Sequence, residues 1–170
     1  MFSLLRQRSA FFCGCIFAII LIAGCAYKSS EIKQIDIKNG LWTGRISVHV
    51  QSEPEQFFSA GFELRGQPER GELTLISPLG NVLGVLRWSP SEAVFDSGDQ
   101  KIRRFDSIDA LMRQAIGAAV PLDALFAWLR GDNASVSGWS ADLSRQSEGR
   151  IAAKRMQPAP QVDLRVVLDQ

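Results

Sequence analysis

The chain has 170 residues, of which 46% are hydrophobic, and a formal net charge of +1. The two arginines among the first 24 residues are not matched by an acid, so residues 25–170 carry 17 basic and 18 acidic side chains, a net charge of −1. A near-neutral domain of 146 residues lacks the basic surface typical of nucleic-acid-binding proteins, and its apolar content excludes a disordered chain. We therefore expect one globular domain that binds no nucleic acid.

The first 24 residues have the order of a secretion signal. Arg6 and Arg8 precede an uncharged stretch, 10–24, which is shorter than the roughly 20 apolar residues of a membrane-spanning helix. This stretch leads into the segment 21–25, LIAGC, which resembles a bacterial lipobox. Its small residues give the signal peptidase access to the scissile bond, and the Cys25 thiol is the nucleophile that becomes acylated. The alternative is a plain signal peptide, or an N-terminal anchor helix with a chance cysteine.

A lipobox implies that Cys25 becomes the first residue of the mature chain and carries covalent diacylglycerol and an N-acyl chain, with no other cofactor. Several acyl chains on one residue give firm membrane attachment, whereas a single chain is marginal. Ala26 follows, where an aspartate usually retains lipoproteins of Gram-negative bacteria in the inner membrane, so the outer membrane and its periplasmic face are expected. Cys13 and Cys15 lie within the signal and no cysteine follows Cys25, so neither a disulfide nor a thiolate metal site is expected.

The chain is thus predicted to comprise a lipoprotein signal peptide (1–24), a lipidated N-terminus and polar tether (25–39) and one domain (40–170). In the domain, apolar or small residues alternate with polar ones, which is the period of half-buried strands. Short turn-rich breaks separate these segments, and this spacing indicates an antiparallel sheet. Strands are predicted at 42–50, 58–65, 72–75, 82–88, 93–96, 139–143, 151–156 and 162–168.

The middle of the chain changes to a helical period. One apolar stripe runs from Ile108 to Ile116, with Asp106 or Ser107 as its N-cap and Gly117 at its end. A second stripe runs from Leu122 to Leu129. Two short amphipathic helices inserted in an antiparallel sheet must bury their apolar faces, and the concave side of the sheet is the obvious place.

Residues suited to catalysis or metal binding are few. His49 is the single histidine of the chain and lies on the polar side of a predicted strand. The sequence has no G-x-S-x-G nucleophile turn, no clustered metal ligands and no phosphate-binding glycine loop. Glu53 and Glu55 lie in a polar turn, where solvation explains them. We therefore expect neither enzyme activity nor a metal site.

Two apolar features remain. The turn 76–81 places Leu79 between Pro78 and Gly80, where polar residues are the norm. Leu79 either folds back onto the core or is exposed and contacts a membrane or an acyl chain. The sheet and helices also carry more apolar side chains than a compact core requires, so they form either an ordinary packed core or the lining of a ligand cavity.

The order of several motifs resembles the LolB family. The lipobox is followed by the strand 42–48 (WTGRISV), the segment 73–80 (LTLISPLG), the helical region 111–131 and the pair Gly138-Trp139. No single motif is specific, but the ordered set covers nearly the whole mature chain.

This resemblance implies a mainly β fold, an open, half-closed antiparallel β-barrel around a hydrophobic cavity, with inserted short helices that form a lid. Members of the family receive acylated lipoproteins from the soluble periplasmic carrier LolA and insert them into the outer membrane. They carry a leucine on a protruding loop that is needed for membrane delivery, and the matching residue is Leu79, flanked by Pro78 and Gly80. LolA shares the fold without a lipid anchor, so Cys25 separates the two.

The resemblance also implies partners: LolA, acylated lipoprotein cargo and outer-membrane phospholipids, with the chain acting as a monomer. The lid helices are expected to pack weakly on the sheet, because they move as the cavity fills. The alternatives are a structural outer-membrane lipoprotein that binds a protein through its sheet edge, and a hydrolase of lipid or glycan. The residues expected to line the acyl-chain cavity are Ile46, Val48, Phe58, Phe62, Leu64, Leu73, Leu75, Leu111, Ile116, Leu122, Leu125 and Trp128.

Overall fold

The computed structural model describes residues 40–98, 101–116 and 118–169, apart from the side chain of Ile116. The predicted signal peptide and the tether with Cys25 lie outside these residues. The described chain forms nine strands, two α-helices and one short 3-10 helix. In chain order they are β1 (Leu41–Gln51), β2 (Gln56–Gln67), β3 (Arg70–Ile76), β4 (Val82–Ser89), β5 (Glu92–Asp96), β6 (Ile102–Phe105), α1 (Ile108–Ile116), α2 (Leu122–Arg130), β7 (Trp139–Asp142), the 3-10 helix (Gln146–Glu148), β8 (Arg150–Arg155) and β9 (Gln161–Leu168).

The nine strands form one antiparallel sheet in the order β6-β5-β4-β3-β2-β1-β9-β8-β7. The sheet consists of two meanders joined by the pairing of the first and last strands, in which Val48 lies opposite Leu164. The edge strands β6 and β7 do not pair with each other, so within the described residues the sheet is not closed. The prediction of an open antiparallel β architecture with two inserted helices is confirmed.

One strand, β6, was absent from the sequence prediction. Ile102–Phe105 contains two adjacent arginines and no apolar alternation long enough to indicate a strand. The strand instead gains its stability from cross-strand pairs with β5. Arg104 forms an ion pair of 2.9 Å with Glu92, and the Arg103 guanidinium lies 5.1 Å from the centre of the Phe95 ring.

Alternation places the apolar side chains of the central strands on one face of the sheet. In β2, Phe62 and Leu64 are buried, and Glu63 and Arg65 point to the other face, where they form an ion pair. The helices cover the apolar face, which we call the concave face. The predicted faces of the central strands are therefore confirmed.

Ser107 caps the N-terminus of helix α1. The backbone N–H of Ala110 donates a hydrogen bond of 3.2 Å to the Ser107 side-chain oxygen, so Ser107 rather than Asp106 is the N-cap. Leu111 is the one fully buried side chain described in this helix, and three of its last residues are exposed. Gly117 lies outside the described residues.

Helix α2 is the most deeply buried element near the concave face. It ends at Gly131, whose φ of +89° is a left-handed C-cap conformation. All six residues 124–129 are buried, and Phe126 and Trp128 have no exposed surface. The Gln146 side chain also donates a hydrogen bond of 3.1 Å to the Leu129 carbonyl. The expectation that both lid helices pack weakly is therefore wrong for α2, because it inserts two aromatic side chains into the core.

This difference predicts unequal opening of the two helices. Helices with few buried side chains open locally at lower free energy than those that belong to the core. In native-state hydrogen exchange, the α1 amides should exchange faster than those of α2, which should approach the protection of the central strand β1. Equal protection of α1 and α2 would contradict this assignment.

The close approach of β9 requires glycine at position 44. A Cβ added at Gly44 would overlap the backbone carbonyl oxygen of Val167 and lie 2.9 Å from the Leu168 Cα. At Gly61, on the neighbouring strand, the nearest atom to an added Cβ is the Ile76 carbonyl oxygen at 3.4 Å. Of these two glycines, Gly44 therefore lacks space for a side chain and Gly61 has it.

We expect Gly44→Ala to lower the free energy of unfolding by roughly 1–3 kcal/mol, the range of overpacking in a closed site. Gly61→Ala is the matched control and should change it by less than about 1 kcal/mol, because alanine also removes the entropic cost of a strand glycine. Urea unfolding of both variants measures the difference. Equal effects would show that β9 can move away from β1.

Candidate functional site

An apolar cavity of about 220 Å³ lies between the concave face and the two helices. Strands β1 to β6 and β9 supply one wall, and α1, α2 and the segment between them supply the other. Among the described residues that line it, Arg103 is the one that carries a charge. An unfilled apolar space of this kind departs from the close packing of ordinary protein interiors.

The structure brings most of the predicted cavity residues together. They come from both helices and from three adjacent strands, β1, β2 and β3. Ten of the twelve line the cavity: Ile46, Val48, Phe58, Phe62, Leu64, Leu73, Leu75, Leu111, Leu122 and Leu125. The side chain of Ile116, the eleventh, is not among those that the structure describes.

Trp128 does not line the cavity. Its indole N–H donates a hydrogen bond of 3.1 Å to the Ala134 carbonyl, and its ring centre lies 6.1 Å from that of Trp139. The side chain therefore packs toward the loop after α2 and the edge strand β7. Leu129, one position further along the helix, faces the cavity in its place.

Sequence reasoning missed several lining residues although a signal existed for most of them. The apolar run in β4 concealed the alternation that turns Leu86 and Trp88 inward. Ile108, Met112 and Ala115 belong to the predicted helical stripe but were not assigned to the cavity. The remaining missed residues are Phe95, Arg103, Val120, Leu129 and Val166.

The polar groups near the cavity are few and mostly occupied elsewhere. The Trp88 indole N–H donates a hydrogen bond of 2.8 Å to the Pro68 carbonyl, which leaves its ring carbons for the cavity wall. The Arg103 guanidinium lies 5.1 Å from the centre of the Phe95 ring, within cation–π distance. Because β6 is an edge strand, this charge lies at the border of the apolar wall.

The loop between β3 and β4 holds Leu79 away from the core. The Gly80 N–H donates to the Ser77 carbonyl at 2.9 Å, and the Asn81 N–H donates to the Ser77 hydroxyl at 3.1 Å. Pro78 restricts the turn's backbone, and Gly80 adopts a φ of +83°. The Leu79 side chain is 88% exposed, so the alternative in which it folds back onto the core is excluded.

The residues considered for catalysis lie apart from the cavity. His49 is on the opposite face of β1 and forms a hydrogen bond of 3.2 Å with Glu55. Across the described ranges, no three His, Cys, Asp or Glu side chains cluster closely enough to hold a metal ion. No helix in that same part of the chain has the length and apolarity needed to cross a membrane.

Comparison with known proteins identifies the family. The family model of the outer membrane lipoprotein LolB matches residues 41–164. A relative from Cupriavidus taiwanensis, named outer-membrane lipoprotein LolB, is 31% identical over 81% of this chain and 69% of its own length. Relatives of the same name from Cupriavidus pinatubonensis (32% identical, covering 81% and 68%) and Bordetella petrii (28% identical, covering 88% and 87%) are also similar.

The matched region contains both helices, the Leu79 loop and nearly all of the cavity wall. The resemblance noted in the sequence motifs is thereby confirmed. The chain belongs to the LolB family, the outer-membrane lipoproteins of the lipoprotein localisation pathway.

Proposed function

We propose that this protein receives acylated lipoproteins from the periplasmic carrier LolA in its apolar cavity and inserts them into the outer membrane. In this proposal, Cys25 carries the acyl chains that hold the domain on the periplasmic face, and the protein acts as a monomer without enzyme activity. The observation that carries the proposal is the cavity: side chains from the sheet and both helices leave an apolar space that a compact core would have filled.

The energetics of lipid transfer fit such a cavity. Each methylene of an acyl chain gains about 0.8 kcal/mol when it leaves water for an apolar environment. A protein that accepts acyl chains must therefore keep them covered at every stage. The cavity walls are suited to this, because the Trp88 indole N–H is satisfied by Pro68 and the strand side chains present carbon.

The cavity must widen when cargo enters. Its volume of about 220 Å³ lies below the roughly 300–1,000 Å³ of ordinary ligand pockets, and lipoproteins bring several acyl chains. Helix α2 is fixed by Phe126 and Trp128, whereas α1 inserts only Leu111 deeply. We therefore assign the movable part of the lid to α1, with α2 as a fixed part of the cavity wall.

Transfer of this kind needs no chemical energy source. Acyl chains move downhill if this cavity binds them more tightly than the carrier does and the bilayer binds them more tightly still. The sequence has no phosphate-binding glycine loop, in agreement with such a scheme.

The two alternative functions receive less support. Binding of a protein through the sheet edge would use β6 or β7, which have four residues each and offer short edges for strand addition. A hydrolase would need a nucleophile near its base, but His49 lies on the face opposite the cavity and pairs with Glu55. Neither alternative explains the apolar cavity.

A carboxylate on the cavity wall should prevent cargo acceptance. Leu75 lines the cavity, and its neighbour Thr74 points to the other face of β3. Because an unpaired charge is costly in apolar surroundings, we expect Leu75→Glu to reduce transfer from LolA at least about tenfold. Circular dichroism checks that the variant is folded, and Thr74→Glu serves as the matched control.

Normal cargo acceptance by Leu75→Glu would contradict the cavity as the binding site and favour the sheet-edge alternative. His49→Ala belongs in the same assay and should leave transfer unchanged. A loss of transfer in His49→Ala would instead support a catalytic role.

A charge at the tip of the β3–β4 loop should leave the acceptance of cargo from LolA intact and slow its delivery into the membrane. A charged side chain costs roughly 2.5–3.5 kcal/mol in the middle of a bilayer, so Leu79→Glu should still take cargo from LolA but insert it into liposomes at least about tenfold more slowly. Leu41→Glu is the matched control, because Leu41 is also exposed but lies at the opposite end of β1 from the β3–β4 loop. Insertion at the normal rate by Leu79→Glu would contradict a role of this loop in delivery.

A further inference from the structure

The exposed apolar side chains are concentrated at one end of the sheet. In the described part of the chain, eight large apolar side chains are exposed, and six of them lie in or beside the turns of a single end. We call these six residues the apolar rim; they are Phe57, Leu79, Val82, Leu83, Ile102 and Met156.

The strand pairing puts the six residues in or beside turns on the same side of the sheet, in a staggered row in which Phe57 is level with His49 and Ile102, five strands away from β1, is level with Thr43. Antiparallel register puts the β1–β2, β3–β4, β5–β6 and β8–β9 turns at the same end of the sheet. Phe57 is the second residue of β2, Val82 and Leu83 begin β4, and Ile102 begins β6. The rim therefore extends across several adjacent hairpins rather than one loop.

The opposite end of the sheet is different in character. Ion pairs occur at both ends, between Arg145 and Glu148 at 2.6 Å at the opposite end and between His49 and Glu55 at 3.2 Å beside the β1–β2 turn, so the difference lies in the exposed apolar side chains. Only Leu41 and Val167 are exposed large apolar residues toward that end, within the described residues. Such a concentration of exposed apolar side chains is typical of a surface that contacts an apolar phase or a partner.

We propose that the apolar rim as a whole, and not Leu79 alone, docks this protein on a phospholipid bilayer. This inference rests on the proposed delivery of lipoproteins into a membrane. It extends the membrane contact from Leu79 to other rim residues, among them Phe57, Val82 and Leu83. Phe58, next to Phe57 in β2, lines the cavity, so docking by the rim brings a cavity wall close to the lipid surface.

The distribution of charged residues favours lipid as the partner that covers the apolar rim. The 14 residues from Leu73 to Leu86, which include the β3–β4 loop, contain no charged side chain. Insertion of this hairpin end into lipid therefore desolvates no charge. The β1–β2 turn carries Glu53 and Glu55, so Phe57 is expected at the level of the headgroups, where aromatic rings are favoured.

The length of chain before the domain permits this orientation. Gly40 precedes β1 at the end opposite the rim, and 14 residues separate it from Cys25, the proposed lipid anchor. A chain of that length spans at most about 50 Å, whereas the 11 residues of β1 extend about 36 Å. The tether is therefore long enough for the anchor and the rim to reach the same bilayer.

Spin labels can measure the depth of each site in the lipidated full-length mature protein. No cysteine follows Cys25, so single substitutions to cysteine at Phe57, Leu79 and Leu83 can each carry one nitroxide. Leu41→Cys and Val167→Cys are matched controls, because Leu83 and Val167 are both 43% exposed. The unsubstituted protein measures any labelling at Cys25. In phospholipid liposomes, collision rates with oxygen and with a water-soluble nickel complex report depth.

We expect the three rim labels to be immersed, with Leu79 deepest and Phe57 shallowest, and the two control labels to remain in water. Immersion of Leu79 alone would overturn the rim while leaving the proposed delivery function intact. Immersion of Leu41 instead of the rim would overturn both the docking orientation and the role of the loop. Rim labels that are immobilised in solution, before liposomes are added, would show that a second copy or a protein covers the rim and would overturn lipid as its occupant.

An insertion assay provides a second readout. Leu83→Ser should slow cargo insertion into liposomes severalfold without changing cargo acceptance, and Val167→Ser should change neither. Equal insertion rates for the two variants would overturn a contribution of the rim beyond Leu79.

Discussion

The concave face of the sheet presents more apolar surface than two nine-residue helices cover. Helix α2 fills one part of it, where Phe126 packs edge-on against Trp42 at 5.4 Å and Trp88 at 6.4 Å between ring centres. The remaining part is bridged by α1, which buries Leu111 fully and Ile108 and Met112 only in part. The cavity, its apolar walls and the difference between the helices all follow from this incomplete coverage.

Incomplete coverage also explains how one domain combines stability with an adjustable site. The pairing of β1 with β9 joins the two meanders and the aromatic contacts of Phe126 fix α2, whereas the described part of α1 contributes one fully buried side chain, Leu111, to the same core. In the proposed function, an entering acyl chain displaces α1 with its deeply buried side chain, Leu111, while Phe126 and Trp128 keep α2 in place. Tight binding of cargo and its later release both require such a division, because a cavity closed by a core helix would exchange its contents only as fast as the domain unfolds.

Much of the fold was predictable because strand alternation depends only on local sequence. In β1 and β2 the period of two assigned Val48, Phe62 and Leu64 to the concave face, and the structure places them there. Strand β6 was not predictable in this way, since its stability comes from contacts of Arg103 and Arg104 with a neighbouring strand. Its absence from the prediction also concealed the one charged residue of the cavity wall.

Helical residues were harder to assign than strand residues. Trp128 and Leu129 are neighbours on α2, but only Leu129 faces the cavity, because the Ala134 carbonyl and the Trp139 ring hold Trp128 on another side. Both partners lie outside the helix, so the helical period alone does not reveal them. The sequence also did not predict which apolar residues are exposed at the turns. It marked the Leu79 loop as unusual, but the position of Phe57 and Leu83 at the same end of the sheet depends on strand register.

The most direct test of the central claim is photo-crosslinking of cargo delivered by LolA. A lipoprotein that carries a photoreactive diazirine within an acyl chain would be transferred to this protein and irradiated before liposomes are added. If acyl chains occupy the cavity, mass spectrometry should locate the crosslinks on concave-face residues of β1 to β3 and on α1. Crosslinks confined to the outer face or the sheet edges, or none despite bound cargo, would contradict it.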